Sequence, residues 1–442
     1  MTADMEPPRL PSVYVDADGL RVNMMDGYLG EMEEEYMRGR LLPIGTDRKL
    51  SIGILTYGTQ VESLAFEVRS ADGTRLVEDT QVSGMTEEDG VLKADIVLKD
   101  LIDEGTEYCV IFKLTLEDGR EASYYMRVIQ QESPGMQEKL DFVASFSEDT
   151  FDDASCAALA VYMETDSSED NSTLSRMTIH SSLDQLGWGS LDVRRETEPV
   201  FTIMDMTGQT ASIQVEYLVS YTRYEREVHA FVKEVYRIRT GTERMYLLDY
   251  ERTMSEYFSE DASSFVDEEV VLGIRDTDVE MAESEGGNIV AFAQNGVLYS
   301  LNVTENRIAR LFSFHDADNL DERAFPDDRN FKILQVDEAG NVFFMVYGYI
   351  SSGRRQGYCG AQLYFYDGSA NTVEELAFIP SGKSPEILKA QIDQLAYING
   401  KYELYLFLND QICCVHLDSQ TVDITAENLS MDSCSVSESN RM

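Results

Sequence analysis

Basic residues are the first scarcity in this chain: Lys and Arg total 36 against 81 Asp and Glu, a formal net charge of -45. A nucleic-acid binder gains affinity by displacing counterions with cations, so this surface argues against nucleic acid as a partner. It equally disfavours adsorption to an anionic membrane face. Histidine occurs at only four positions, His180, His229, His315 and His416, with no shared ligand spacing. Imidazole is the commonest metal ligand and acid–base group, so this scarcity works against hydrolase or transition-metal chemistry. Six cysteines lack paired CxxC spacing, which argues against structural zinc and against a disulfide scaffold. Cys413 and Cys414 are strand neighbours whose side chains point to opposite faces, where a bond between them would be strained. No apolar run is long enough to span a bilayer, and the opening MTADMEPPRLPSVYV has no apolar core of a leader.

Catalytic signatures are missing too. Gly382-Lys383-Ser384 mimics the end of a P-loop, but Ala377 occupies the first glycine position and Pro385 stands where the phosphate-binding helix would have to continue. There is no G-x-S-x-G elbow and no H-E-x-x-H helix. Paired carboxylates for glycoside cleavage stay open, because a chain with 81 acidic residues offers many pairs and no means of choosing one. The sequence calls for no catalytic residue, metal or cofactor.

What is present is β pattern. From Ser12 to Ile129, apolar alternation such as SLAFEVRS and CVIFKLTL is punctuated by Asp18-Gly19, Asp72-Gly73, Asp89-Gly90 and Asp118-Gly119. Asp-Gly supplies the positive φ that tight hairpins need. Seven or eight short strands of this kind predict an immunoglobulin-like or fibronectin-like β-sandwich over 12–130. The acidic piece GEMEEEYMRGR, 30–40, reads as a solvated helical turn between strands.

Ser133-Pro134-Gly135 breaks the pattern, and MQEKLDFVASF then places Leu140, Phe142, Val143 and Phe146 at helical spacing. Further helices are predicted at Asp152–Tyr162 and before Gly187-Trp188-Gly189. Long strands come next at Pro199–Asp205, Ala211–Tyr221, Glu227–Arg239 and Arg244–Arg252. Helices and then antiparallel strands describe a small α+β domain over 135–260. Its element order resembles the NTF2-like cone.

From residue 268 onward a unit recurs. NIVAFAQNGVLYSLNVTENRIARLFSF from Asn288 is answered by copies beginning at Asn341 and Tyr402, each ending in a hairpin and each preceded by one further strand. Four strands at a period of about 50–60 residues is a propeller blade's signature. CSVSESNRM from Cys434 resembles the start of a fourth unit. Because a propeller closes with about four or more blades, 268–442 reads as an incomplete β-propeller and the chain as the N-terminal part of a longer protein. The repeats resemble YVTN/WD40-like β-propeller repeats, without the WD dipeptide. The order of sandwich, α+β module and propeller resembles large extracytoplasmic envelope proteins of Gram-positive anaerobes that have no assigned activity.

Candidate site residues are few. Trp188, alone of its type, is flanked by glycines and followed by Arg194 and Arg195; it could line a ligand cleft or pack in a core. Arg354 and Arg355 mark the tip of the basic hairpin GYISSGRRQGYCG and could grip a carboxylate, or simply keep an exposed loop soluble. Asp316, Asp318, Asp321 and Glu322 carry calcium-type oxygens, but Asp321 stands where the loop needs glycine, which favours a solvated acidic loop. The expectation is a mainly β, multidomain, acidic protein that meets a protein or cell-wall polymer without catalysis. The resemblance implies an extracytoplasmic, envelope-associated place, or a cytoplasmic one if no leader lies upstream. The alternatives are a ligand-sensing or regulatory ectodomain of a membrane-anchored protein, or a hydrolase with its site in the α+β domain or on the propeller axis.

Overall fold

The computed structural model describes residues 10–169, 172–223, 225–258, 279–314 and 329–431, together with Phe325, Cys434 and the backbone of 265–266 and 269–270. It is mainly β and multidomain, built of several separate sheets. Asp18-Gly19 and Asp89-Gly90 both turn hairpins with left-handed φ at each residue, 50° and 92° for the first pair, 51° and 81° for the second. The first links Ser12–Ala17 to Leu20–Met25; the second links Thr86–Glu88 to Val91–Val97.

These four strands and Lys49–Leu55 form one end of an eleven-stranded sheet. Over them lies a five-stranded sheet of Leu41–Ile44, Glu121–Gln130, Glu107–Leu116, Val61–Ser70 and Leu76–Val82. Alternation decides which side chains meet: Val13, Val15, Ile52 and Ile54 from one layer pack with Leu64, Phe66, Val68, Phe112 and Val128 from the other.

The large sheet does not stop at Ser133-Pro134-Gly135. Val200–Met206 joins the edge of Leu20–Met25 in parallel, pairing Val200 with Arg21 and Phe201 with Val22. Buried Asn23 completes the join. Its φ of 54° takes the backbone out of the ladder. Its side-chain amide substitutes: Oδ1 accepts from Ile203 N at 2.9 Å, and Nδ2 donates to Leu41 O at 3.0 Å. Beyond the join the sheet continues through Thr210–Arg223, Arg226–Thr240, Met245–Glu256 and Arg176–Thr178, with Arg194–Arg195 beside Thr210–Arg223.

Helix α1 (Met136–Asp149) packs on this second half through Leu140, Val143 and Phe146, with Phe142 only partly buried. No side chain caps its start. Instead Lys139, four residues on, turns back to donate Nζ hydrogen bonds to the Pro134, Thr207 and Gly208 carbonyls at 2.6, 3.0 and 3.2 Å. Burial presses the pKa of this ammonium downward. Helix α2 (Asp153–Ala158) starts where the Asp152 carboxylate accepts from Ser155 N, and the short α3 (Leu183–Leu186) starts at Ser182 in the same way.

The C-terminal part is three antiparallel meanders of four strands: 281–313, 329–380 and 396–426. They stack face to face. Leu298, Leu311 and Phe312 of the first meet Phe331, Phe344 and Tyr364 of the second. Met345 and Leu363 on the other face of the second meet Leu404, Leu406 and Cys413 of the third, with helix α4 (Pro385–Gln394) against them. Among the described residues the three sheets do not close into a ring. The 315–324 and 326–328 pieces of the acidic link with calcium-type oxygens, and 435–442 of the fourth copy, lie outside the described residues.

The 30–40 piece departs from expectation. It does contain a 3-10 turn, Glu34–Tyr36, but Met32 and Met37 are buried. Its charges disguise a docking segment. Tyr28, just before it, packs edge-on against both Tyr125 of the five-stranded sheet and Tyr349 of the second meander, with ring centroids 5.7 and 5.1 Å apart. Backbone bonds sew the same seam: Leu29 N donates to Gly357 O at 2.6 Å and Glu33 N to Gly382 O at 2.7 Å.

Candidate functional site

Three places hold the charged or aromatic groups from which chemistry could arise. The first is the core between α1–α3 and the second half of the large sheet. Strand alternation sends Val232, Glu234 and Tyr236 toward the helices, and Glu234 is fully buried among them. Its Oε2 accepts from Ser147 Oγ at 2.7 Å and Tyr236 OH at 3.0 Å, and Oε1 accepts from Tyr250 OH at 2.9 Å. Burial, then the Glu234 charge, pushes the Tyr236 and Tyr250 phenols well above 10, so both stay protonated donors. Arg252 is as deeply buried and donates to the Leu186 and Gln185 carbonyls at 3.0 and 2.6 Å. Trp188 lies under it, 3.5 Å from ring centroid to guanidinium carbon.

Trp188 is therefore a buried core side chain, with its backbone at a φ of 67° between the two glycines. Arg195, further along the chain, reaches the same core: it pairs with Glu148 at 2.6 Å, donates to Ser147 Oγ at 3.1 Å and stacks on Phe151 and Tyr217. Arg194 points the other way, exposed, toward Asp192 at 3.2 Å. The structure thus brings Trp188 and Arg195 to one hydrogen-bonded core and leaves Arg194 outside it.

The second place is the 348–360 hairpin. Arg354 and Arg355 both turn onto Glu375, at 3.1 and 3.6 Å, and Arg355 lies over Phe378. Their cations are met within the chain. Beneath them the hairpin is no free loop, because Tyr349, Ile350 and Cys359 are buried and Gly357 sits against Leu10 and Leu29.

The third place was not visible from sequence: the seam between the N-terminal sheets and the three meanders. Lys383, of the P-loop-like triplet, is buried there, 2.9 Å from Asp410, 3.9 Å from Glu33 and over the Tyr36 ring at 4.5 Å. Burial opposes its charge, but the hydrogen bond and charge of Asp410 outweigh this and raise its pKa above 10.5. The linkage has a definite sign: the stability Lys383 contributes is intact below 10.5 and is lost as pH rises through its raised folded value. The urea unfolding midpoint should fall over that alkaline window, and Lys383→Met should abolish this part of its pH dependence.

Several clefts run along this seam. One, about 360 Å³, is lined from three directions by Asp26 and Arg40, by Gln214, Glu216 and Lys233, and by Phe325, Arg329 and Glu386. It shares Gly39 and Glu386 with a shallower cleft of about 950 Å³ and Arg329 with another of about 570 Å³. Glu216 and Lys233 face it because they are cross-strand partners on the side of the sheet opposite Glu234. Glu216 and Arg329 are over nine-tenths buried.

Among the described residues no three His, Cys, Asp or Glu side chains gather to hold a metal ion, and no helix is long and apolar enough to cross a membrane. All six cysteines are free, five of them buried and Cys434 exposed.

No protein-family model matches the chain. No curated protein matches it in sequence. Among solved structures it is similar to Spo0M, a sporulation control protein from Bacillus subtilis, at 8% identity, with 55% of this chain and 89% of that one covered and a TM-score of 0.17. It is also similar to the extracellular domain of BT4673 from B. thetaiotaomicron, described as a one-component system, at 10% identity and a TM-score of 0.19. That match covers 50% of this chain and spans a third, 33%, of the other. TM-scores of this size carry no argument about fold or function.

Proposed function

We propose that the protein is a non-enzymatic extracytoplasmic scaffold, in which an immunoglobulin-like sandwich and propeller-type blades are held in fixed relation and present their outer surfaces to a cell-wall polymer or a protein. The supporting observation is the seam. Mobile modules meet through small polar interfaces, whereas here Tyr28, Met32 and Met37 share one apolar cluster with Tyr349, Leu388 and Leu404. A rigid joint sets the spacing of surfaces, which is what a platform requires. The conspicuous side chains of the sequence fit the same reading: Trp188, Arg354 and Arg355 are engaged in packing or pairing within the fold. With a net charge of -45, the partner's contact face should be basic or neutral.

The test is sedimentation of the purified chain with insoluble cell-wall polymer, combined with assay of the supernatant for released fragments. Binding without fragments is expected. Accumulating fragments would overturn the non-enzymatic reading, and a chain left wholly in the supernatant would remove the polymer as partner.

A further inference from the structure

The P-loop-like triplet Gly382-Lys383-Ser384 does lead into a helix. Pro385 takes the first helical position of α4, where its missing N–H is not needed and its fixed φ suits the turn. The usual side-chain cap is absent, because the Ser384 hydroxyl bonds none of the helix N–H groups. A first turn has no intrahelical acceptor to offer, and the Glu386 and Ile387 N–H groups find none elsewhere among the described residues. Ser384 is only 4% exposed, yet its hydroxyl has no partner among those residues and is not sealed from open space. Ser384, Glu386 and Ile387 all line the shallow cleft of about 950 Å³. The positive end of the helix dipole thus meets that cleft with its donors unmet.

Two more donors come from separate segments. Arg38 lines the cleft from the docking segment, and Arg75 from the turn that follows Val61–Ser70. Both are exposed, and neither guanidinium has a hydrogen bond, ion pair or ring contact among the described residues. An excess of 81 acids over 36 bases makes pairing easy, so two unpaired arginines on one cleft are an exception. The segments are fixed against one another. Glu33 N donates to Gly382 O at 2.7 Å just ahead of α4, and Arg69, beside the turn, lies 3.6 Å from Glu34. A Cβ on Gly39 would stand 3.9 Å from Glu386 Oε1, so the helix start adjoins the segment that carries Arg38.

Carboxylates line the cleft as well. Asp72 is held by the Ser70 and Thr74 hydroxyls and Glu107 by Arg127, whereas Glu35, Asp103 and Glu386 are exposed with lone pairs to spare. Such groups repel a bare anion but accept the hydrogens of hydroxyl groups. The occupant that answers both sets is an anionic group carried on a polyhydroxy body. We propose that this cleft binds an acidic sugar, its phosphate or carboxylate received by Arg38, Arg75 and the start of α4. Its hydroxyls donate to Glu35, Asp103 and Glu386. A volume of about 950 Å³ lies at the upper end of the range for small-molecule sites and gives room for such a body beside the anionic group. At physiological ionic strength charges beyond about 8 Å are largely screened, so the acidic surface at large does not bar the ligand. The inference rests on this cleft alone and stands or falls independently of the scaffold reading.

The experiment is calorimetric titration of the full chain at about 0.15 M ionic strength. Glucose 6-phosphate and glucuronate are the two forms of acidic sugar, glucose is the uncharged body, and inorganic phosphate and acetate are the bare anions. At least one acidic sugar should bind saturably with 1:1 stoichiometry, about tenfold or more tighter than glucose and than its own bare anion. Which of the two binds tells a phosphate site from a carboxylate site. Arg38→Met and Arg75→Met should each weaken that binding about tenfold or more, and Ser384→Ala about threefold. Both arginines are exposed, so both variants should keep the wild-type Tm, and weaker binding at unchanged Tm reports on the site. Absence of saturable binding by both acidic sugars, equal binding of glucose or of the bare anion, or binding indifferent to both arginine variants would overturn the proposal.

Discussion

Replacing Glu234 with leucine should cost about 3–5 kcal/mol, enough to unfold the helical module in a protein of ordinary stability. The side chain is fully buried and accepts hydrogen bonds from Ser147, Tyr236 and Tyr250. Leucine matches the apolar neighbours in character but orphans three hydroxyl donors, each worth roughly 1–3 kcal/mol when left unsatisfied. Glu234→Gln keeps one acceptor oxygen and most of the shape, so it should cost roughly half as much. Urea unfolding followed by circular dichroism measures both. Near-equal midpoints for wild type and Glu234→Leu would show that the carboxylate does not organise this core.

The second large effect is expected at Tyr28. Truncating it to alanine removes the ring that touches both Tyr125 and Tyr349, and large-to-small changes of an aromatic in a packed site cost about 3–5 kcal/mol. The loss should appear at the seam. Tyr349 would lose its edge contact there while its hydroxyl bond to the Gly27 carbonyl, at 3.1 Å, remains. Amide exchange in Val342–Tyr349 and Cys359–Asp367 should quicken, while Val61–Ser70, within the N-terminal layers, keeps its protection. Uniform acceleration everywhere would mean that the meanders and N-terminal sheets unfold as one unit, and no acceleration would show that the tyrosine is dispensable to the joint.

Strand alternation and Asp-Gly turns made the N-terminal layers legible, and the spacing of Leu140, Val143 and Phe146 did the same for α1. The internal repeat located all three meanders. The joins were not legible. A parallel pair such as Val200 with Arg21 leaves no periodic trace, since it depends on two edges that become neighbours only in three dimensions. The acidic run at 30–40 hid Met32 and Met37 because net charge says nothing about which two side chains turn inward. The core carboxylate, by contrast, had a readable signal: Glu234 falls in phase with Ala230, Val232, Tyr236 and Ile238, where alternation demands an apolar residue. Arg252 breaks the series between Tyr250 and Met254 in the same way. A charge in a core phase announces a partner, though which hydroxyls supply it is fixed only by the fold. The seam cleft of about 360 Å³ had no such signal, because its six charged groups come from segments far apart in sequence and each looks ordinary in its own element.

The parallel join also dictates an order of events on the ribosome. Leu20–Met25 emerges well before the neighbour that covers its edge, Val200–Met206. At about 5–20 residues per second, that edge waits on the order of ten seconds or more with its ladder groups unpaired. An unpaired edge is a template for the wrong strand, and nascent copies on neighbouring ribosomes would supply one. Slowing elongation after residue 130 should therefore raise the aggregated fraction, whereas slowing it once Val200–Met206 has left the ribosome and covered the edge should not.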